Sequence, residues 1–288
     1  MNQEKNTTNP TEDLGYYVAP QVYAQIVRGR EQVLKSDLDR VFCIDGREGF
    51  GGKSTLAFQL AFCYDPTFNL DRVCFNSKDF ARILRTAKKG QALVYDESFH
   101  GLSSKGSISK ENKKLVQLLM EVRQRNLFIF IVLPSFFMLE KYVAIFRSQC
   151  LFHCYCSKNS INRRYYKIYN YNNKKLLYIN GKSLMSYYKP RVEKSYRFYA
   201  KFPKTINREE YKAKKLAAFQ DKRDEMPEEH KFKQQRDKLL FILCDKLGLS
   251  YVDASKHLKG EGVALSDSLI GKIVRTVAKN REKEKGII

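Results

Sequence analysis

The residues with the clearest capacity for chemistry are the run Asp-Gly-Arg-Glu-Gly-Phe-Gly-Gly-Lys-Ser-Thr at 45–55. Glycines lack a Cβ and let consecutive backbone N–H groups converge on one anion; a helix starting just behind them adds the partial positive charge of its N-terminus. An ammonium at Lys53 and a hydroxyl at Ser54 complete a cradle suited to a polyphosphate. Lys53 would reach the β and γ phosphates, and Ser54 would meet a magnesium ion. The candidate nucleotide-binding residues are therefore Gly46, Arg47, Glu48, Gly49, Phe50, Gly51, Gly52, Lys53, Ser54 and Thr55.

Elements on either side must position this turn. Arg40-Val-Phe-Cys-Ile-Asp45 is a short β-rich apolar run, and Leu56 to Phe62 repeats apolar residues at helical spacing, so the sequence predicts strand, glycine-rich turn and helix. At these residues the chain resembles the P-loop NTPases. Their usual G-x-x-x-x-G-K-[ST] pattern would place its first glycine at position 47, which is Arg47, while the nearest glycine is Gly46. Either the loop carries an extra residue or Arg47 takes the first-glycine place.

Asn69 to Phe75 predicts a second strand, Asp79 to Arg85 the apolar face of a helix that Gly90 stops, and Gln91-Ala-Leu-Val-Tyr-Asp96 a third strand. Asp96-Glu97 directly follows that strand, as the Walker B carboxylates do in P-loop families with a second acid. The resemblance implies Asp96 in the magnesium shell with Ser54, and Glu97 as the group that orients and activates water for attack on the γ phosphate. A solvated acidic turn is the plainer alternative. Ser98 to Asn112 is polar and predicts a mobile loop; Leu115, Leu118, Leu119 and Val122 share a helical face ending at Arg123-Gln-Arg125. Phe128 to Leu133 is an apolar run of strand length, as expected of a central parallel strand buried on both faces. Strands alternating with helices predict an α/β fold with a mainly parallel, doubly wound sheet.

Walker A, Walker B, a helix ending in arginine and an apolar strand with a polar tip, in that order, resemble the FtsK–HerA branch of P-loop ATPases and the zonula occludens toxin-like ATPases of filamentous phages. The likeness covers about Arg40 to Cys156. It implies a multimeric ATPase, with ATP and Mg2+ as cofactors, acting on DNA. Pro134-Ser135 stands where those families carry Thr-Gln or Ser-Gln, making Ser135 either a γ-phosphate sensor or a helix N-cap. Arginine fingers complete many such sites from a neighbouring subunit. Arg123, Arg125 and Arg147 are the candidates, with Arg147 preferred over its reading as a salt bridge or a DNA-phosphate contact.

Composition agrees with a polyanionic partner. A chain of 288 residues with formal net charge +22 attracts nucleic acid first and anionic membrane second. Its most apolar run, from Leu127 to Leu139, is too short to span a bilayer and holds Pro134, and the polar first residues do not form a secretion signal; a cytosolic protein with reduced cysteines is expected. Residues 1–13 predict disorder. Cys150 to Cys156 predicts a strand whose thiols share one face and whose His153 points to the other, which suits buried thiols better than zinc.

Arg163 to Tyr171, an Asn172-Asn173 turn and Lys174 to Ile179 predict a basic, tyrosine-rich hairpin, able to stack nucleic-acid bases or to cover the sheet edge. Lys182 to Lys204 predicts irregular structure, and 205–235 a charged helical linker broken at Met226-Pro227. From 236 onward, one helical face is made by Leu239, Leu240, Ile242 and Leu243. A short helix follows Ser250, and a last one follows Ser266 with Leu269, Ile270, Ile273, Val274 and Val277 inward. Lys272, Arg275 and Lys279 face outward as candidate DNA-binding residues. The arrangement resembles a helix-turn-helix domain, with a three-helix bundle for protein contact as the alternative. The chain thus reads as an ATP-hydrolysing, DNA-associated homo-oligomer, or else as a nucleotide-gated DNA-binding regulator or partition factor.

Overall fold

The computed structural model describes residues 14–47, 49, 52–96, 105–157, 160–224 and 228–284. Pro20 opens α1 (Pro20–Lys35), where its missing N–H costs nothing, and Val22, Ile26, Gly29 and Val33 turn one face inward. Strand β1 (Arg40–Gly46) leads to α2 (Lys53–Tyr64), whose residues from Thr55 to Tyr64 are all buried. A helix apolar on every side must be covered on every side.

Next come β2 (Val73–Cys74), α3 (Ser77–Thr86) and β3 (Ala92–Tyr95). The strand expected from Asn69 shortens to two residues, because Leu70–Arg72 forms a 3-10 turn in which Arg72 pairs with buried Asp65. Asn76 caps α3 by accepting from the Asp79 N–H at 2.7 Å. Helix α4 (Lys105–Glu121) takes up about half of the segment expected as a loop; the rest, 98–104, lies outside the described residues. Strand β4 (Phe128–Val132) is buried along its whole length.

A 3-10 turn at Phe136–Met138 and a π-helical turn at Val143–Arg147 come next, and β5 (Cys150–Ser157) and β6 (Ser160–Tyr169) follow. The second arm of the expected hairpin is a helix, α5 (Tyr171–Gly181). Its cap is Asn170, whose side chain accepts from the Asn173 N–H at 2.9 Å, and Lys174, Leu177, Tyr178 and Gly181 fall at helical spacing on its buried face. Within the stretch expected as irregular lies β7 (Ser195–Phe198).

The strands order as β2-β3-β4-β1-β5-β6-β7, parallel from β2 through β5 and antiparallel for β6 and β7. The result is an α/β fold on a mostly parallel mixed sheet. One core layer packs α1 and α2 on one face through Phe42, Phe58, Phe130 and Phe152; the other packs α3, α4 and α5 on the opposite face through Phe80, Leu119, Ile129 and Leu177. Among the described residues no helix is long and apolar enough to cross a membrane.

Chain contacts divide the molecule into units Met1–Gln220 and Asp221–Ile288. Helix α6 (Arg208–Asp224), expected within a solvated linker, instead buries Tyr211 among Phe58, Phe75 and Phe202 of the first unit. The second unit holds α7 (Glu228–Phe241) with a π-helical turn to Lys246, α8 (Tyr251–Gly260) and α9 (Asp267–Glu284). Its small core is Leu240, Phe241, Ala254, Ile270 and Val274. Leu239, Ile242, Leu243 and Leu269, expected inward, are exposed, because the helices meet along a narrower stripe than the apolar sequence allows.

Candidate phosphate-binding site

The parallel sheet brings the ends of β1 and β3 to the same edge, on either side of β4. Gly46 ends β1 at φ 147°, and a Cβ there would stand 2.3 Å from the Cys154 carbonyl oxygen of β5, so no other residue fits. Gly52, at φ 64°, starts α2. Lys53 folds back over the loop, its Nζ donating to the Gly46 carbonyl at 2.8 Å and the Arg47 carbonyl at 3.3 Å. The first turn of α2 is locked by the buried residues behind it, so Lys53 and Ser54 hold fixed positions.

Ser54 Oγ donates to Asp96 Oδ1 at 2.9 Å, joining residues 42 positions apart. Asp96 is fully buried, and its other oxygen accepts from the Tyr211 hydroxyl of α6 at 2.6 Å. Lys215 extends over the Tyr211 ring, and Lys214 donates to the carbonyls of Leu70 and Val73 at 2.8 Å, which anchors α6 beside the site. A buried carboxylate among hydroxyl oxygens is a donor set that fits a hard divalent cation such as magnesium, with Ser54 and Asp96 to hold it. Glu48, Phe50, Gly51 and Glu97 lie outside the described residues.

A second carboxylate, Asp45, is also fully buried. One oxygen meets His153 Nδ1 at 2.8 Å; the other accepts from the Phe136 N–H at 2.9 Å and from the Tyr187 hydroxyl. The His153 and Tyr187 rings stack with centroids 4.1 Å apart. Burial, reinforced by the Asp45 charge, pushes the Tyr187 phenol well above its usual range, so it stays a donor. Ser135 stands in this network, 3.2 Å from the Tyr187 hydroxyl, and its Oγ also accepts from the Phe137 N–H at 3.4 Å as a cap.

The arginines singled out from the sequence sit elsewhere. Arg123 and Arg125 occupy the turn before β4, and Arg147 the turn before β5, at the edge where parallel β1 begins with Arg40. That edge is a strand length, about 20 Å, from Gly46. Arg147 forks onto Asp39 and donates to the Leu119 carbonyl, and Arg125 donates to the Arg85 carbonyl. Their placement follows from strand polarity: each precedes its strand, and the loop follows one.

Burial raises the thiols of Cys43, Cys63 and Cys150 to about 12, so they persist as protonated core groups. Lys272, Arg275 and Lys279 are exposed on α9, away from the buried Ile270 and Val274. Sequence reasoning missed Asp45, His153, Tyr187 and Tyr211 as parts of one site. Only the acid at the head of the glycine run was locally visible.

Compared with known proteins, the chain matches no protein-family model and no curated protein. Among solved structures it is similar to the N-terminal domain of zonular occludens toxin from Neisseria meningitidis, at 14% identity over 58% of this chain and 96% of that one, with a TM-score of 0.33.

Proposed function

We propose that the chain is a P-loop ATPase that works with DNA. The observation that carries the reading is the 2.9 Å bond from Ser54 at the helix start to buried Asp96 at the end of another strand, beside a lysine folded over the loop carbonyls. Helix N-terminus, loop amides and Lys53 would bind the phosphates, and Lys53 would exchange its loop carbonyls for phosphate oxygens. Ser54 and Asp96 would hold a magnesium ion, which when bound would supply positive charge against the phosphates. Glu97, next in sequence to Asp96, is the proposed base that orients the attacking water and takes its proton. The network of Asp45, His153, Tyr187 and Ser135 keeps the strand ends around the γ-phosphate position in register.

For DNA the support is charge: +22 overall, with Lys272, Arg275 and Lys279 on one exposed stripe of α9. Assembly into a homo-oligomer would let turnover change contacts between neighbours bound to one duplex. The regulator reading differs in its DNA behaviour: it expects one footprinted sequence and slow turnover, where the ATPase reading expects sequence-tolerant binding and stimulation by DNA.

The test is phosphate release and calorimetric nucleotide binding with the full chain. Lys53→Ala should abolish binding and turnover. Glu97→Gln should keep ATP binding while lowering turnover at least about 100-fold, in line with general acid–base contributions. Turnover unchanged by either substitution excludes hydrolysis at this site.

A further inference from the structure

We infer that Arg164 is the arginine of the phosphate site and that it acts within its own chain. The inference rests on the nucleotide reading above and assigns the charge that the sequence sought at Arg147. Strand register sets the height: Gly46 pairs with Cys154, and Arg164 on β6 pairs with Cys156, two residues further along β5. Arg164 therefore stands past the end of β1, on the loop side of the sheet, whereas Arg147 and its neighbours lie at the opposite edge. Proximity is direct, because its Cδ is 3.1 Å from the place a Cβ on Gly52 would occupy, one residue before Lys53.

The side chain is held there. Phe198 pairs with Arg164 across β6 and β7, is buried, and brings its ring within 3.3 Å of the same point, so the apolar stem of Arg164 has a wall to lie on. Yet the charged end is incomplete. Its Nε is buried without a hydrogen-bond partner, and among the described residues Arg164 makes no ion pair, in contrast to Arg147 on Asp39. An unsatisfied buried donor costs about 1–3 kcal/mol and calls for an explanation. Beside it is the N-terminal, partly positive end of α2, which begins after Gly52, so the cation faces a like partial charge. An anion at the loop resolves both problems at once.

A guanidinium stays protonated and presents a planar fork that fits two phosphate oxygens, which a lysine in its place cannot reproduce. Water attacks the γ phosphorus, the bond to the β-phosphate oxygen breaks, and the proton of water goes to the base. Arg164 makes and breaks no covalent bond. It donates hydrogen bonds to the oxygens on which charge moves during transfer.

The experiment compares wild type, Lys53→Ala, Arg164→Met and Arg164→Lys by phosphate release and by calorimetric titration with ATP and ADP. Methionine retains the stem against Phe198; lysine retains the charge and loses the fork. Both Arg164 variants should bind ADP within about threefold of wild type and lose about 10³-fold in kcat, the scale of an arginine supplied to phosphoryl transfer. Turnover within threefold of wild type in both variants overturns the inference. Mixing Arg164→Met with Lys53→Ala subunits should recover no activity, because neither chain holds a complete site; recovery would place the arginine in the neighbour's site and also overturn it. A wild-type protein that binds no nucleotide sinks the site reading itself, whereas an active wild type with indifferent Arg164 sinks only this assignment.

Discussion

At the scale of single residues, the site is defined by two buried carboxylates that take hydroxyl donors from far along the chain. Asp45 accepts from Tyr187 and Asp96 from Tyr211, partners 142 and 115 positions away. A buried carboxylate is costly unless hydrogen-bonded, so each tyrosine hydroxyl orients an acid and offsets part of its burial. Tyr211→Phe tests the effect, since the ring contacts to Phe58, Phe75 and Phe202 remain while the hydroxyl that donates to Asp96, and accepts from Lys215 Nζ at 3.4 Å, is lost. We expect magnesium affinity, read from the magnesium dependence of turnover, to weaken about 10- to 100-fold, as when an outer partner of a metal ligand is removed. Nucleotide binding without magnesium should change little. An unaltered magnesium dependence would mean that the hydroxyl does not position Asp96. Lys53, Ser54 and Asp96 were legible in the sequence because glycine-rich turns and acids at strand ends have local spacing. Tyr187 and Tyr211 were not, because nothing in the neighbouring residues marks a phenol that will reach a distant acid.

At the scale of elements, α5 shows both what periodicity reveals and where it misleads. Arginine, lysine and tyrosine dominate β6 from Arg163 to Tyr169, where the sequence predicts a strand; the similar composition beyond Asn170 predicts a second strand but forms α5. The helical set there includes Lys174, which counts as polar in any pattern but is fully buried. Its Nζ donates to the carbonyls of Ala144 and Ile145 at 2.8 and 2.7 Å, ending the π-helical turn Val143–Arg147 and tying it to α5. Burial lowers the Lys174 pKa from 10.5 to about 8. Between those values the unfolded chain holds the proton and the folded chain does not, so the unfolded state binds more protons and this contribution to stability rises with pH. We expect the stability of wild type relative to Lys174→Met to increase from pH 8 towards 10.5, by at most about 1.4 kcal/mol per pH unit. Urea unfolding of both proteins across that range measures it. A pH-independent difference would show that Lys174 titrates alike in both states.

At the scale of the whole molecule, charge and topology divide the work. A mostly parallel sheet gathers the ends of β1 and β3 at one edge, where the proposed anion site lies. The second unit supplies a different surface: α9 buries Ile270 and Val274 and leaves Lys272, Arg275 and Lys279 exposed about one turn apart. Cations at this spacing along a helix can meet successive phosphates of one strand, and each phosphate neutralised in duplex DNA releases counterions with a slope of about 0.9 in log K against log salt. Replacing all three by alanine should therefore weaken duplex binding at low salt and flatten that slope by about 2–3, with little dependence on sequence. Their exposure makes the helix tolerant of the change, so circular dichroism should be unaltered. A slope equal to that of wild type would remove α9 from the DNA-facing surface and leave the cations of the first unit to account for binding. A loss confined to one preferred sequence, with the slope kept, would instead assign the stripe to base contact and favour the regulator over the motor.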